Sequence, residues 1–215
     1  MSTKFKMEYP KIQSDLSEAD FQDVYNAEEP YLTNCIITNT SIDHATLDRL
    51  ILSKVACKDA KILYSSFSNA DITDVVFEDC DLSNTSFSGS IIHRVSFTNC
   101  KLMGLDFSRA NLKNVSFENC VLNLSLFVEA KLSQVIFDHS SLRSANYYDC
   151  GLNKVKFNDC DINDIDFSQT VLSGLDISTC TFERISVELK NLRGCIVSPE
   201  QAVKCAPLLG LIVKE

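Results

Sequence analysis

From Leu32 to Val197 an apolar residue recurs at every fifth position, those whose numbers end in 2 or 7. Each is Leu, Ile, Phe, Val or Tyr, with Cys57 the single departure. From Ile62 to Phe167 the series also alternates, Leu or Ile and then an aromatic: Ile62, Phe67, Ile72, Phe77 at the start, Leu152, Phe157, Ile162, Phe167 at the end. A helix repeats near 3.6 residues and a strand at 2. A sustained period of five therefore predicts a repeat architecture.

A second period lies above the first. Val55, Val75, Val95, Val115, Val135 and Val155 form one column at intervals of twenty, continued by Leu175. Cys80, Cys100, Cys120, Ser140, Cys160 and Cys180 form another; Phe77 to Phe157 and Phe87 to Phe167 give two more. Four pentads per coil would stack these residues, two walls of Phe and two of Leu or Ile filling a narrow core at high density.

The flanks lack the period. Residues 1–30 read as an N-terminal cap over the first apolar layer. Within them Lys4–Tyr9 alternates like a short strand, and Asp15–Tyr25 has the pattern of a short helix with Ser14 as N-cap. The repeat body is 31–197. Residues 198–215 predict a helix beginning at Ser198-Pro199-Glu200-Gln201, with a capping box and Pro at N1, and ending near Ala206. The apolar tail that follows, Leu208, Leu209, Leu211, Ile212 and Val213, must be buried. It covers the last coil or pairs with a second copy, since a bare edge invites aggregation.

Composition narrows the function. A net charge of -9 disfavours direct nucleic-acid binding, which needs a basic surface. The N-terminus carries no signal-like or membrane-spanning run, so a cytoplasmic location is expected. Eight of the ten cysteines sit two residues before a central apolar residue and read as small reduced core side chains. A straight column about 4.8 Å apart suits neither tetrahedral zinc nor a disulfide. His44, His93 and His139 fall at outward or turn positions without metal-spaced partners. Phosphate-binding and nucleophile motifs are absent, so neither enzyme activity nor a cofactor is expected. The abundant Asp residues suit turn geometry.

The local pattern is small, polar, Leu or Phe, polar, polar, as in Ala110-Asn111-Leu112-Lys113-Asn114 and Cys80-Asp81-Leu82-Ser83-Asn84. Here the chain resembles the pentapeptide repeat family, whose signature is A(D/N)LXX. That resemblance implies an all-β solenoid, a right-handed quadrilateral β-helix, with a short C-terminal helix and dimerisation tail. The repeats, Leu172–Asp176, Thr181–Arg184, Ser198–Ala202 and Leu209–Val213 are similar to the quinolone-resistance (Qnr-type) members from Gram-positive bacteria. This implies a cytoplasmic homodimer joined through its C-terminal ends. It also implies a DNA mimic that binds DNA gyrase, with topoisomerase IV as a second candidate, and modulates fluoroquinolone sensitivity. Some Qnr-type relatives carry loops that matter for protection; this register has no insertion, which leaves inhibition without protection open.

Register places the outward charges. The face around Phe77–Phe157 carries Glu78, Asp79, Glu118, Asp138, Asp159 and Asp176; its neighbour around Phe87–Phe167 carries Asp106, Glu129, Asp149 and Asp166. Arg94, Lys113, Lys131 and Lys154 gather around Ile92–Leu152. Residues 61–190 hold 17 acids and 11 bases, about one net charge per 5 Å of rod against about 1.7 Å in duplex DNA. Acidic faces, rather than whole-molecule charge, are therefore the candidate partner site. An outward apolar group, Val121, Leu124, Leu126, Val128 and Ile136 with Met103 and Tyr148 near it, is a second candidate and suits a non-enzymatic scaffold for another protein.

Overall fold

The computed structural model describes residues 5–25 and 29–214. Its body is a parallel β-solenoid. After the short β1 (Ser17–Glu18), β2 (Tyr31–Thr38) and β3 (Ser41–Asp43) come β4 (Ile51–Lys58) and β5 (Lys61–Leu63). Then one strand per coil follows: β6 (Asp71–Glu78), β7 (Ile91–Thr98), β8 (Asn111–Glu118), β9 (Lys131–Asp138) and β10 (Gly151–Asn158). Partners lie twenty residues apart, as in Ile72↔Ile92 and Phe77↔Phe97. Each long strand turns one corner and so supplies two faces of the coil, the first around Ile72 and the second around Phe77. Bridges such as Lys61↔Asp81↔Lys101 and Ser66↔Ser86↔Asp106 build the third and fourth.

The corners explain the period of five. From Asn34 to Gly174 the residues whose numbers end in 4 or 9 have positive φ. Twenty-six of these corner residues are not glycine, and thirteen of them are Asn or Asp. Those two types tolerate the left-handed region because their short polar side chains bond locally. Four such corners per twenty residues give the rod its four sides.

The interior follows the columns. Phe77, Phe97, Phe117, Phe137 and Phe157 stack with centroids 4.8–4.9 Å apart and nearly parallel planes. The fourth-face aromatics meet them edge-on, as Phe117 meets Phe127 at 88°. The cysteine column has a polar duty as well. Cys80, Cys100 and Cys120 each share their S–H between two carbonyls, as Cys100 Sγ does with Thr98 O at 3.3 Å and Phe77 O at 3.5 Å, while Cys160 and Cys180 each reach one, Asn158 O and Phe157 O. Ser140 makes the same pair, to Asp138 O and Phe117 O. The slot selects a small donor rather than a purely apolar filler, and this is why Ser substitutes there.

The N-terminal flank differs from expectation in its elements. The expected helix at Asp15–Tyr25 is instead β1, paired in parallel with β2, and a 3-10 turn over Phe21–Tyr25. Phe21 and Val24 from that turn are buried, Phe21 lying 5.7 Å from Phe67. Lys4 of the expected Lys4–Tyr9 strand lies outside the described residues, and the rest joins no sheet. Residues 5–11 instead form an extended arm along the rod. Lys11 N–H donates to Asp74 Oδ1, Glu8 N–H to Asn114 Oδ1 and Gln134 Nε2 to Lys6 O. Lys156 sits over the Phe5 ring. Six extended residues span about 20 Å, matching the four coil steps from Asp74 to Lys154 at about 4.8 Å each. Asp74 and Asn114, corner residues that would otherwise face water, are buried beneath the arm.

At the other end a short α1 (Leu189–Leu192) forms part of the last coil, and α2 (Pro199–Cys205) follows. The α2 capping box of Ser198 and Gln201 is formed as the sequence predicts. Gln201 Nε2 also donates to Ile177 O and Cys180 O, closing carbonyls that no further coil can pair. The tail does not cover the last coil: Leu208 is half-buried, while Leu209, Leu211, Ile212 and Val213 are exposed. No helix among the described residues is long and apolar enough to cross a membrane.

Candidate partner-binding surfaces

The second face carries the acidic column expected of it. Glu78, Thr98, Glu118, Asp138 and Asn158 are successive ladder partners, and Asp79 and Asp159 occupy its corner. Some of this charge is compensated. Lys58 Nζ lies 2.5 Å from Glu78, and His139 Nδ1 donates to Asp138 at 3.0 Å with its other nitrogen 3.9 Å from Asp159. Hydrogen bonds from His139 and Asn158 hold Asp138 below the usual carboxylate range, and Asp138 in turn raises His139. Glu118 is exposed and, among the described residues, has no ion pair.

The remaining acids spread further round the rod than the register suggests. Asp106 and Asp166 on the fourth face accept from Ser108 N–H and Ser168 N–H, which fixes their carboxylates. Glu129 and Asp149 form its corner. The third face, which the sequence reading passed over, adds Asp81, Asp161 and Asp164; Asp161 pairs with Arg143 and Asp164 with Arg184. The basic first face is partly masked. Arg94 is held by Asp74 and lies 3.9 Å from Glu8 of the arm. The signal for that pairing was present: Asp74 and Arg94 are twenty apart, as are Lys58 and Glu78, and Asp164 and Arg184.

The apolar group divides. Val121, Leu124 and Leu126 are exposed on one coil, with exposed Met103 and Tyr148 one coil to either side and half-buried Val128 between. They wrap the corner between the third and fourth faces. Ile136 does not join them. It is in β9 on the second face, paired with Ser116 and Lys156 and half-buried. Register by period five marks a residue as outward without saying which of four walls it leaves, and this explains the misplacement.

The C-terminal end exposes apolar side chains around an open cavity. Leu189, Leu192, Val197, Cys205, Leu209 and Leu211 line a cavity of 450 Å³ that is open at the end of the rod. Ile212, at 90% exposure, stands beside it. Among the described residues no three His, Cys, Asp or Glu side chains gather in metal-binding geometry.

Comparison with known proteins agrees with this architecture. The model of the pentapeptide repeat region matches residues 90–167, and that of pentapeptide repeats in eight copies matches 51–89 and 65–104. No curated protein matches the chain. Among solved structures, a trypsin-treated form of QnrB1, a plasmid-mediated fluoroquinolone resistance protein, is 19% identical with a TM-score of 0.54, covering 86% of this chain and 99% of its own. HetL, a pentapeptide repeat protein involved in heterocyst differentiation regulation in the cyanobacterium Nostoc, is 17% identical with a TM-score of 0.53, covering 78% of this chain and 85% of its own. At these identities the likeness is one of fold. The matched repeats span more than half the sequence, and their coils are those of the solenoid: the chain belongs to the pentapeptide repeat family.

Proposed function

We propose that this chain is a non-enzymatic solenoid that binds DNA gyrase, with topoisomerase IV as a second target, where the enzyme normally holds DNA. It would thereby modulate fluoroquinolone sensitivity. The observation that carries the reading is the acidic second face: Glu78, Glu118 and Asp138 lie in one ladder column, flanked by Asp79 and Asp159, on a rod side free of loops. A basic groove built for phosphates would meet fixed carboxylates there, with Asp106 and Asp166 continuing the charge on the fourth face. The Qnr-type resemblance directs this chemistry to a topoisomerase. The apolar end formed by Leu208, Leu209, Leu211, Ile212 and Val213 would join two chains, doubling the rod.

The test is gyrase supercoiling with and without ciprofloxacin. Wild-type protein should inhibit supercoiling or restore it in the drug's presence. The triple variant Glu118→Lys, Asp138→Lys, Asp159→Lys should lose that effect, and an unchanged effect would exclude this face. No action on gyrase in either arm would favour a scaffold role through the exposed Val121, Leu124 and Leu126, the second reading.

A further inference from the structure

Among the described residues the solenoid ladder is interrupted at one step. In a regular coil, residues in the Ile62, Tyr64 and Phe67 positions donate N–H to the next coil, to Asp81, Ser83 and Ser86. The equivalents in β10 are Leu152, Lys154 and Phe157, and none of them makes a main-chain bond to residues 171–177. Nor do Val171 and Asp176 N–H reach Cys150 and Val155 carbonyls, as Asp81 N–H reaches Ala60. Pairing resumes on the third and fourth faces, where Ile162 and Phe167 donate to Thr181 and Ser186. The second edge of the interrupted segment is also paired, through Leu172 to Asn191 and Ile177 to Ile196. The gap is thus confined to the first and second faces between β10 and the next coil.

Burial agrees. Leu152 is half-buried where Leu132 is 1% exposed, and Val155 is 9% exposed where Val135 is 0%. Two cavities occupy the gap: one of 550 Å³ beside Gly151 and Leu152, one of 360 Å³ beside Val155 and Phe157, reached by Phe5 of the arm. These are ligand-sized volumes. Polar and apolar groups line them about equally, with Leu152, Val155 and Phe157 among the apolar ones, and their wall is a strand edge with alternating unpaired donors and acceptors.

We propose that this cleft is a peptide-binding site that accepts one extended segment of a partner protein by strand addition to β10. An unpaired ladder edge offers donors and acceptors at a spacing that an extended backbone satisfies. The side chains set the sequence. Glu129 and Asp149 outnumber Lys131 in the cavity at the start of β10, and Lys154 and Lys156 outnumber Asp176 in that at its end. Among the described residues neither Lys154 nor Lys156 has a salt bridge. A segment parallel to β10 therefore carries a basic residue first, alternate apolar residues in the middle and an acidic residue last. The second half of the cleft lies on the second face, beside Asn158 and Asp176, but peptide docking there requires no topoisomerase.

A suitable probe is the synthetic octapeptide Lys-Leu-Ser-Gln-Val-Ile-Phe-Asp. It copies β9, which already pairs with the other edge of β10 in parallel, and it has the required charge order. Amide hydrogen exchange of the full chain reads the result. In the free protein Leu152 and Phe157 should exchange about a hundredfold faster than Leu132 and Phe137. Saturating octapeptide should slow them about tenfold, and a scrambled peptide should not. The Lys154→Glu, Lys156→Glu variant, altered only at exposed side chains, should lose the slowing. Equal exchange at Leu152 and Leu132 in the free protein would overturn the open cleft. Fast exchange unaffected by the octapeptide, or slowed equally by the scrambled one, would overturn peptide docking. Retained slowing in the double variant would overturn the charge assignment.

Discussion

Arg94 grips Asp74 through two parallel hydrogen bonds, Nε to Oδ1 at 2.6 Å and Nη2 to Oδ2 at 2.7 Å. Asp74 Oδ1 also accepts Lys11 N–H at 2.9 Å. One carboxylate thus joins two coils and the N-terminal arm, with only 6% of its side chain exposed. Removing it should release the arm and strip Arg94 of its main partner. Asp74→Ala should destabilise by about 2 kcal/mol, less than breaking a fully buried pair because Arg94, freed with the arm, can turn to water. Denaturant midpoints and protease cleavage near Lys11 would check this.

The same carboxylate sets an acid limit. The Arg94 guanidinium, then Lys11 N–H, hold Asp74 below its ordinary range. A depressed folded value means the stabilisation is complete above the unfolded value of about 3.9 and disappears as pH falls through the lower, folded one. The arm should therefore stay docked at pH 5 and detach only below about pH 4. Amide shifts of Phe5 and Glu8 followed through an acid titration would show it; release between pH 7 and 5 would contradict the assignment.

Leu124 stands at a left-handed corner, φ 61°, with 56% exposure. A branched apolar side chain there bears the left-handed penalty without the packing that would offset it. Its stacked neighbour Gly104 has φ 67° without that penalty. Leu124→Asn should raise stability by about 1 kcal/mol, read as a higher denaturant midpoint. If the Val121–Leu126 patch is a docking surface, the same change should weaken that partner's binding.

Tyr147 replaces Phe in the fourth-face column. Its ring stacks 4.5 Å from Phe127, and its buried hydroxyl has no hydrogen-bond partner. Burial, reinforced by Cys150 and Cys160, pushes its phenol well above the ordinary value, so it stays neutral. Tyr147→Phe restores the column residue and removes the unpaired group. It should stabilise by about 1 kcal/mol, and a destabilised variant would point to a buried partner for the hydroxyl.

The sequence made the repeat body legible because its interior is chosen by two short-range rules. The first and third positions of each pentad point inward, and twenty residues return to the same wall. Those rules placed the Phe77–Phe157 stack, the thiol column and the acidic second face. They were silent where a contact breaks the repeat. Residues 5–11 bond to corner residues up to 128 positions away, Gln134 to Lys6 being the extreme, and no local pattern encodes that. The cleft beside β10 had a faint signal, since Leu175 and Ile177 replace Val and Phe in their columns at the interrupted step. A column read only for apolar character does not register such a change of shape.

Cys195 and Cys205 report on the apolar end. Both line its cavity and are half-buried, whereas the other eight thiols are buried in the rod. Burial, with Cys205 nearby, pushes Cys195 up to about 11, and burial also raises Cys205. Because the thiolate is the reacting form, alkylation should be slow at neutral pH and quicken as pH rises. It should be confined to these two residues until the chain unfolds. Pairing of two chains through Leu209, Leu211 and Ile212 would cover both thiols, so labelling per chain should fall as protein concentration rises. Leu211→Asp with Ile212→Asp, changes at exposed positions, should hold the protein monomeric in sedimentation and make labelling independent of concentration. Wild-type labelling that ignores concentration, with a monomeric mass throughout, would rule out this end as the dimer contact and leave Leu209–Val213 for another partner.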